Sequence, residues 1–214
     1  MLTGPEQPPI SGATPKQLLI FLHGVGADGN DLFGLAPMFA ETFPDAYIAS
    51  PNAPLAFDMA PFGYQWFSLR DYTMPAMLAG VQTAVPHLNA YIDAMLKKTN
   101  VPISKLAVIG FSQGTMTALY TLIRRVDSCG AIVGFSGALI GAEQLAVEAK
   151  AKPPVCLIHG EMDTVVPFGA MGMAETVLKN AGLSVESHAR PGLPHGIDPE
   201  GIEIAKKFLK KHLG

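Results

Sequence analysis

Read from the N-terminus, the chain alternates short continuous apolar runs with longer stretches where apolar residues recur every three or four positions. The run "QLLIFLHG" (17–24) predicts a buried strand closed by glycine, and "AYIAS" (46–50) predicts the next. Further strands are expected at 105–110, at "AIVGFS", at "PVCLIHG" (154–160) and at "SVESHA". Helical spacing covers "LFGLAPMFAETF", although Gly34 and Pro37 interrupt it, and residues 75–98, where Pro86 predicts a kink. Helices are also expected over 113–126, from about Ala142, near 168–181 and over 199–212. Strands alternating with helices along almost the whole length predict an α/β fold. Its central sheet is mostly parallel and is covered on both faces, within one domain spanning 1–214. In such sheets the chemistry lies beyond the carboxyl ends of the strands.

Composition supports that picture and removes several function classes. A chain of 214 residues, 49% hydrophobic and 15% charged, is long and apolar enough to bury both faces of a sheet. The net charge of −3 gives no basic excess, so nucleic acid is not an expected partner. Cys129 and Cys156 are too few for a disulfide framework or a zinc site, and both fall in or beside apolar runs, as buried free thiols do. The start "MLTGPEQPPISGATP" lacks a charged-then-apolar signal pattern, and "CGAIVGFSGALIGA" is too short to span a bilayer. These features predict a cytoplasmic protein without integral membrane association.

The stretch 51–74 breaks the rhythm. It is long for a connection, yet it carries Phe57, Phe62, Tyr64, Trp66 and Phe67. Two readings stand: a functional loop, or a loop packing a satellite core of its own.

Between the strand at 105–110 and the following helix lies Gly110-Phe111-Ser112-Gln113-Gly114. A nucleophile is best held proud of the sheet on a sharp strand-to-helix turn, and such a turn crowds the positions two before and two after it. Glycine at both explains the form G-x-S-x-G. The amide of Gln113, at the helix start, is free to face an oxyanion. The similar "GFSGA" around Ser136 lacks the final glycine. Of six histidines, His87 and His212 fall on helices and His188 in a strand, while His23 and His159 precede glycines in turn-like settings. His195 stands in "RPGLPHGIDPEG", a loop braced by Asp198 as N-cap and Pro199 as first helical residue, and so suits a catalytic base. Asp163, in "HGEMDTVVP", is a better orienting acid than its neighbour Glu161. The chain order Ser112, Asp163, His195 is that of an α/β-hydrolase. A second oxyanion donor is expected after the first long strand, at the amide of Val25. That stretch also satisfies G-x-G-x-x-G, but Asp28 would put negative charge where a pyrophosphate should bind. A nicotinamide or flavin enzyme is therefore a minor alternative, beside a non-catalytic binding module.

Taken together, "FLHGVGADGND", "SPNAP", "QWF", "GFSQG", "HGEMDTVVP" and "GLPHGID" make the chain resemble the phospholipase/carboxylesterase family, from about residue 17 to the end. The resemblance implies an α/β-hydrolase fold without a large cap domain, a Ser112–Asp163–His195 triad, and oxyanion amides at Val25 and Gln113. It also implies no cofactor and no metal. Small-molecule or lipid acyl esters, and acylated protein for thioesterase or lysophospholipase variants of the activity, are the implied substrates; a homodimer is a further implication. In the family the aromatic loop helps shape the acyl pocket, which points to Phe62, Trp66 and Phe67 as substrate-binding. Where the family commonly reads "WFD", this chain has Trp66-Phe67-Ser68, so substrate preference does not carry over.

Overall fold

A computed structural model describes residues 1–214. In chain order its strands are β1 (Glu6–Gln7), β2 (Gln17–Leu22), β3 (Ala46–Ala49), β4 (Leu55–Ala56), β5 (Tyr64–Gln65), β6 (Leu106–Phe111), β7 (Ala131–Phe135), β8 (Val155–Gly160) and β9 (Val185–Arg190). Its helices are α1 (Gly29–Phe33), α2 (Ala36–Thr42), α3 (Met74–Thr99), α4 (Gln113–Ile123), α5 (Leu145–Glu148), α6 (Gly169–Asn180) and α7 (Pro199–Leu213). Seven strands form one sheet in the order β1-β3-β2-β6-β7-β8-β9. All neighbours are parallel except β1, which runs antiparallel to β3.

The continuous apolar runs are explained by two cores, one on each face. Along β2, Leu18, Ile20 and Leu22 enter one cluster while Leu19 and Phe21 enter the other. The same alternation divides Leu106 and Val108 from Ala107 and Ile109, and Val155 and Leu157 from Cys156 and Ile158. A strand with helices on both sides has no solvent face, so its polar alternation disappears. Helices α3, α4 and α6 contribute to the first cluster; α1, α2 and α7 contribute to the second. Cys129 and Cys156 are free and buried, and loss of solvation pushes each thiol up to about 12. No helix is long and apolar enough to cross a membrane.

Some elements differ from the sequence expectation. The stretch after β2 forms two short helices rather than one interrupted helix. Asp28 caps α1 by accepting from the Asn30 and Asp31 amides, and the chain passes Gly34 before α2 begins. Pro86 does not divide its helix, for α3 runs as one element through it. Lys105 belongs to a 3-10 turn (Ile103–Lys105) rather than to β6. The proline-rich start supplies an edge strand, β1, too short to leave a periodic signal. Within 51–74 the chain builds a hairpin, with Leu55 opposite Gln65 and Ala56 opposite Tyr64.

Candidate active site

The sheet order places β6, β7 and β8 side by side, so the loops beyond their carboxyl ends share one edge. Ser112 follows β6 at φ 52° and ψ −116°, a left-handed conformation that L-residues adopt only under constraint. The constraint is visible. Its amide donates to the Phe135 carbonyl at the end of β7 (2.9 Å), and its carbonyl accepts from the Met116 amide (3.2 Å). The flanking glycines are obligatory for contact rather than flexibility. A Cβ on Gly114 would lie 1.9 Å from the Leu22 carbonyl oxygen, and one on Gly110 would lie 2.5 Å from the Thr115 nitrogen. The G-x-S-x-G pattern is thus the imprint of α4 pressed against β2 and folded back on β6.

Asp163 follows β8, its side chain wholly out of solvent. Its Oδ1 accepts from the Val165 and Val166 amides, both at 2.9 Å, and its Oδ2 accepts from His195 Nδ1 at 2.7 Å. Burial alone would favour the neutral acid. The bond from His195 and the two amides outweigh it, holding the carboxyl below its ordinary range. An ionised Asp163 fixes the His195 proton on Nδ1 and leaves Nε2 a free base directed elsewhere. The imidazole, 18% exposed, rests on the Phe111 ring with centroids 4.8 Å apart. Phe111 immediately precedes Ser112, so this stack carries the ring to the Ser112 turn. Ser112 Oγ and His195 share no hydrogen bond; the one His195 makes goes to Asp163.

The loop bearing His195 is braced at both ends. Asp198 caps α7 by accepting from the Gly201 amide (2.8 Å), as its position before Pro199 predicts. Arg190, at the end of β9, then donates to Asp198 at 2.9–3.2 Å and also to Glu200. That arginine carried no signal in the sequence, where "RPG" reads as a plain turn.

After β2, a Cβ on Gly24 would lie 3.5 Å from Ser112 Cβ, so this loop stands against Ser112. The Val25 amide, next in the chain, has no backbone acceptor, while the Gly26 amide is held by the Tyr64 carbonyl (2.8 Å). Gln113 is the first residue of α4, and its amide has no acceptor within the helix. Its side chain performs a task the sequence did not reveal. Oε1 accepts from the Trp66 amide and Nε2 donates to the Phe67 carbonyl, both at 2.8 Å.

Of the three aromatic residues expected to bind substrate, two are corrected by the structure. Trp66 and Phe67 are 0% and 1% exposed and belong to the core; Trp66 Nε1 donates to the His23 carbonyl at 3.0 Å. Their rings pack interior space and present no wall to solvent. Phe62, on the hairpin, is 73% exposed. Ser136 is excluded as nucleophile, because its hydroxyl is fully buried and has no partner. His23 has the structural role expected of it, accepting from the Ala53 amide at 3.0 Å.

Beside the Ser112 turn opens an apolar cavity of about 300 Å³, lined by residues that include Met74, Met77, Met116, Ala138, Ala170 and Met173. Met116 lies one turn into the helix that Ser112 begins. Ala138 follows Gly137, on which a Cβ would stand 3.1 Å from the Ser112 carbonyl.

A model of the phospholipase/carboxylesterase family matches residues 10–213. The chain belongs to that family. This phospholipase/carboxylesterase-family chain is 32% identical to a probable carboxylesterase of Oryza sativa subsp. japonica, over 95% of this chain and 80% of the relative. It is 28% identical to esterase YpfH of Escherichia coli (strain K12), over 91% and 82% respectively. The crystal structure of esterase PE8 superposes with a TM-score of 0.95 at 40% identity, covering 99% of both chains. The phospholipase/carboxylesterase-family protein described here is a carboxylic ester hydrolase with an α/β-hydrolase fold.

Proposed function

We propose that the protein hydrolyses acyl esters through a Ser112–His195–Asp163 triad and an acyl-enzyme, with the Val25 and Gln113 amides as oxyanion donors. The observation that carries this reading is the 2.7 Å bond from His195 Nδ1 to a buried, ionised Asp163, beside a serine held in a strained turn. This reading requires Ser112 Oγ to meet His195 Nε2, a bond commonly loose until substrate binds. Nε2 takes the hydroxyl proton as Oγ attacks the acyl carbon, and Asp163 stabilises the resulting imidazolium. The tetrahedral oxygen receives the two free amides. As the intermediate collapses, the imidazolium gives its proton to the departing alcohol or thiol. Water then repeats the sequence on the acyl-enzyme and releases the acid.

The cavity supports an apolar acyl group as the substrate's recognised part. Every lining residue is hydrophobic, and its volume is at the small end of ordinary ligand sites, suited to one chain rather than two. Esters, thioesters and lysophospholipids all present such a chain, and the carboxylic ester is the reading adopted.

A panel of p-nitrophenyl esters from acetate to palmitate, run beside an acylated peptide and with fluorophosphonate labelling, tests the proposal. Turnover with labelling confined to Ser112, and a preference for esters longer than acetate, is expected. Labelling that persists in Ser112→Ala would overturn the assignment of the nucleophile.

A further inference from the structure

Asp163 has a second histidine beside it. His159, at the end of β8, has a side chain only 2% exposed, and its Nε2 lies 2.8 Å from the Val166 carbonyl and 3.2 Å from Asp163 Oδ2. Both neighbours are acceptors, so the proton of a neutral His159 must be on Nε2, bonded to the carbonyl and flanked by the carboxylate. The ring is held edge-on to Phe168, with centroids 6.1 Å apart and planes at 77°. Its backbone is fixed in the sheet, paired with Ala189. The imidazole therefore has little freedom, and it ties two parts of one turn together. That turn is the one whose Val165 and Val166 amides grip Asp163 Oδ1.

We infer that His159 is a positioning residue for the triad acid. Its Nε2–H anchors the 163–166 turn through Val166, and the polar N–H beside Oδ2 fixes the plane in which Asp163 meets His195. The inference rests on the triad reading above. It assigns His159 no contact with substrate and no proton transfer. One consequence distinguishes positioning from mere space-filling. A turn that shifts misdirects the imidazole, and a misplacement of about 1 Å in such a constellation costs on the order of 10²-fold in rate.

The test compares His159→Gln with His159→Asn. Glutamine can place an N–H near the position of Nε2, whereas asparagine is too short to reach Val166. With wild-type enzyme and a p-nitrophenyl ester, the expected result is near-normal kcat for Gln. For Asn, kcat should fall on the order of 10²-fold at unchanged KM. Equal kcat in the two variants, both folded by circular dichroism, would overturn the inference. If neither variant folds, ¹⁵N-histidine NMR of the wild type decides: protonated Nε2 at His159 upholds the assignment, and protonated Nδ1 refutes it. An inactive wild type, or an active Ser112→Ala, would instead indict the triad itself and leave the His159 tautomer readable.

Discussion

In the proposed triad Ser112 and His195 hold the two ends of one proton transfer, so deleting either leaves the step without a carrier. Ser112→Ala and His195→Ala are expected to lower kcat by about 10⁶-fold. Asp163→Asn, which disturbs the tautomer rather than removing the base, should cost about 10⁴-fold. Steady-state hydrolysis of a p-nitrophenyl ester checks all three, and near-normal turnover in His195→Ala would mean another base serves. Ser136 offers a prediction of the opposite sign. It combines φ 46° with a buried, unpartnered hydroxyl, so Ser136→Gly should stabilise the fold by about 1 kcal/mol. A urea midpoint that falls would contradict this. At this scale Ser112 was legible because its glycines record contacts that no Cβ could survive. Trp66 and Phe67 were not, since an aromatic residue in a loop suits a pocket wall and a core equally, and only burial separates the two.

Among the elements, the start of α7 and the end of β9 act together through Asp198 and Arg190. The bond from Arg190, and then the Gly201 amide, hold the Asp198 carboxyl below its ordinary range, although partial burial opposes this. Asp163 is likewise depressed, its hydrogen bonds overcoming burial. A folded-state value below the unfolded one, about 3.9 for aspartate, makes the sign definite. The stabilisation is complete above that value and is lost as pH falls through the lower folded one. Urea midpoints measured from pH 7 to pH 3 should therefore drop at the acid end, and less steeply in Asp198→Asn. An identical acid slope in that variant would show the clamp contributes nothing. The cap itself was legible, because Asp-Pro before a periodic run has a local cause. Arg190 was not, since its partners Asp198 and Glu200 are reached only after the loop has closed.

For the molecule as a whole, the segment 51–74 is divided: Ala53, Trp66, Phe67 and Leu69 join the core on one face of the sheet, while Phe62 and Tyr72 are exposed. The single tryptophan, Trp66, is buried, and the side-chain amide of Gln113 ties the backbone at Trp66 to α4. Tryptophan fluorescence and far-UV circular dichroism should accordingly report one coincident urea transition. Gln113→Leu, which strands a buried amide and a buried carbonyl, should lower stability by about 2–3 kcal/mol. Fluorescence changing well before the dichroism in wild type would show the segment opening on its own. The sequence by itself determined the parallel sheet and the tight turn at Gly110–Gly114, and singled out Ser112, Asp163 and His195, because each is written in local spacing or in a short-range steric demand. Only the tertiary structure decided that His159 flanks Asp163, that Gln113 pins the aromatic segment and that Trp66 and Phe67 point inward. Those facts depend on contacts between residues distant in the chain or on the direction of a side chain, and local pattern carries no record of either.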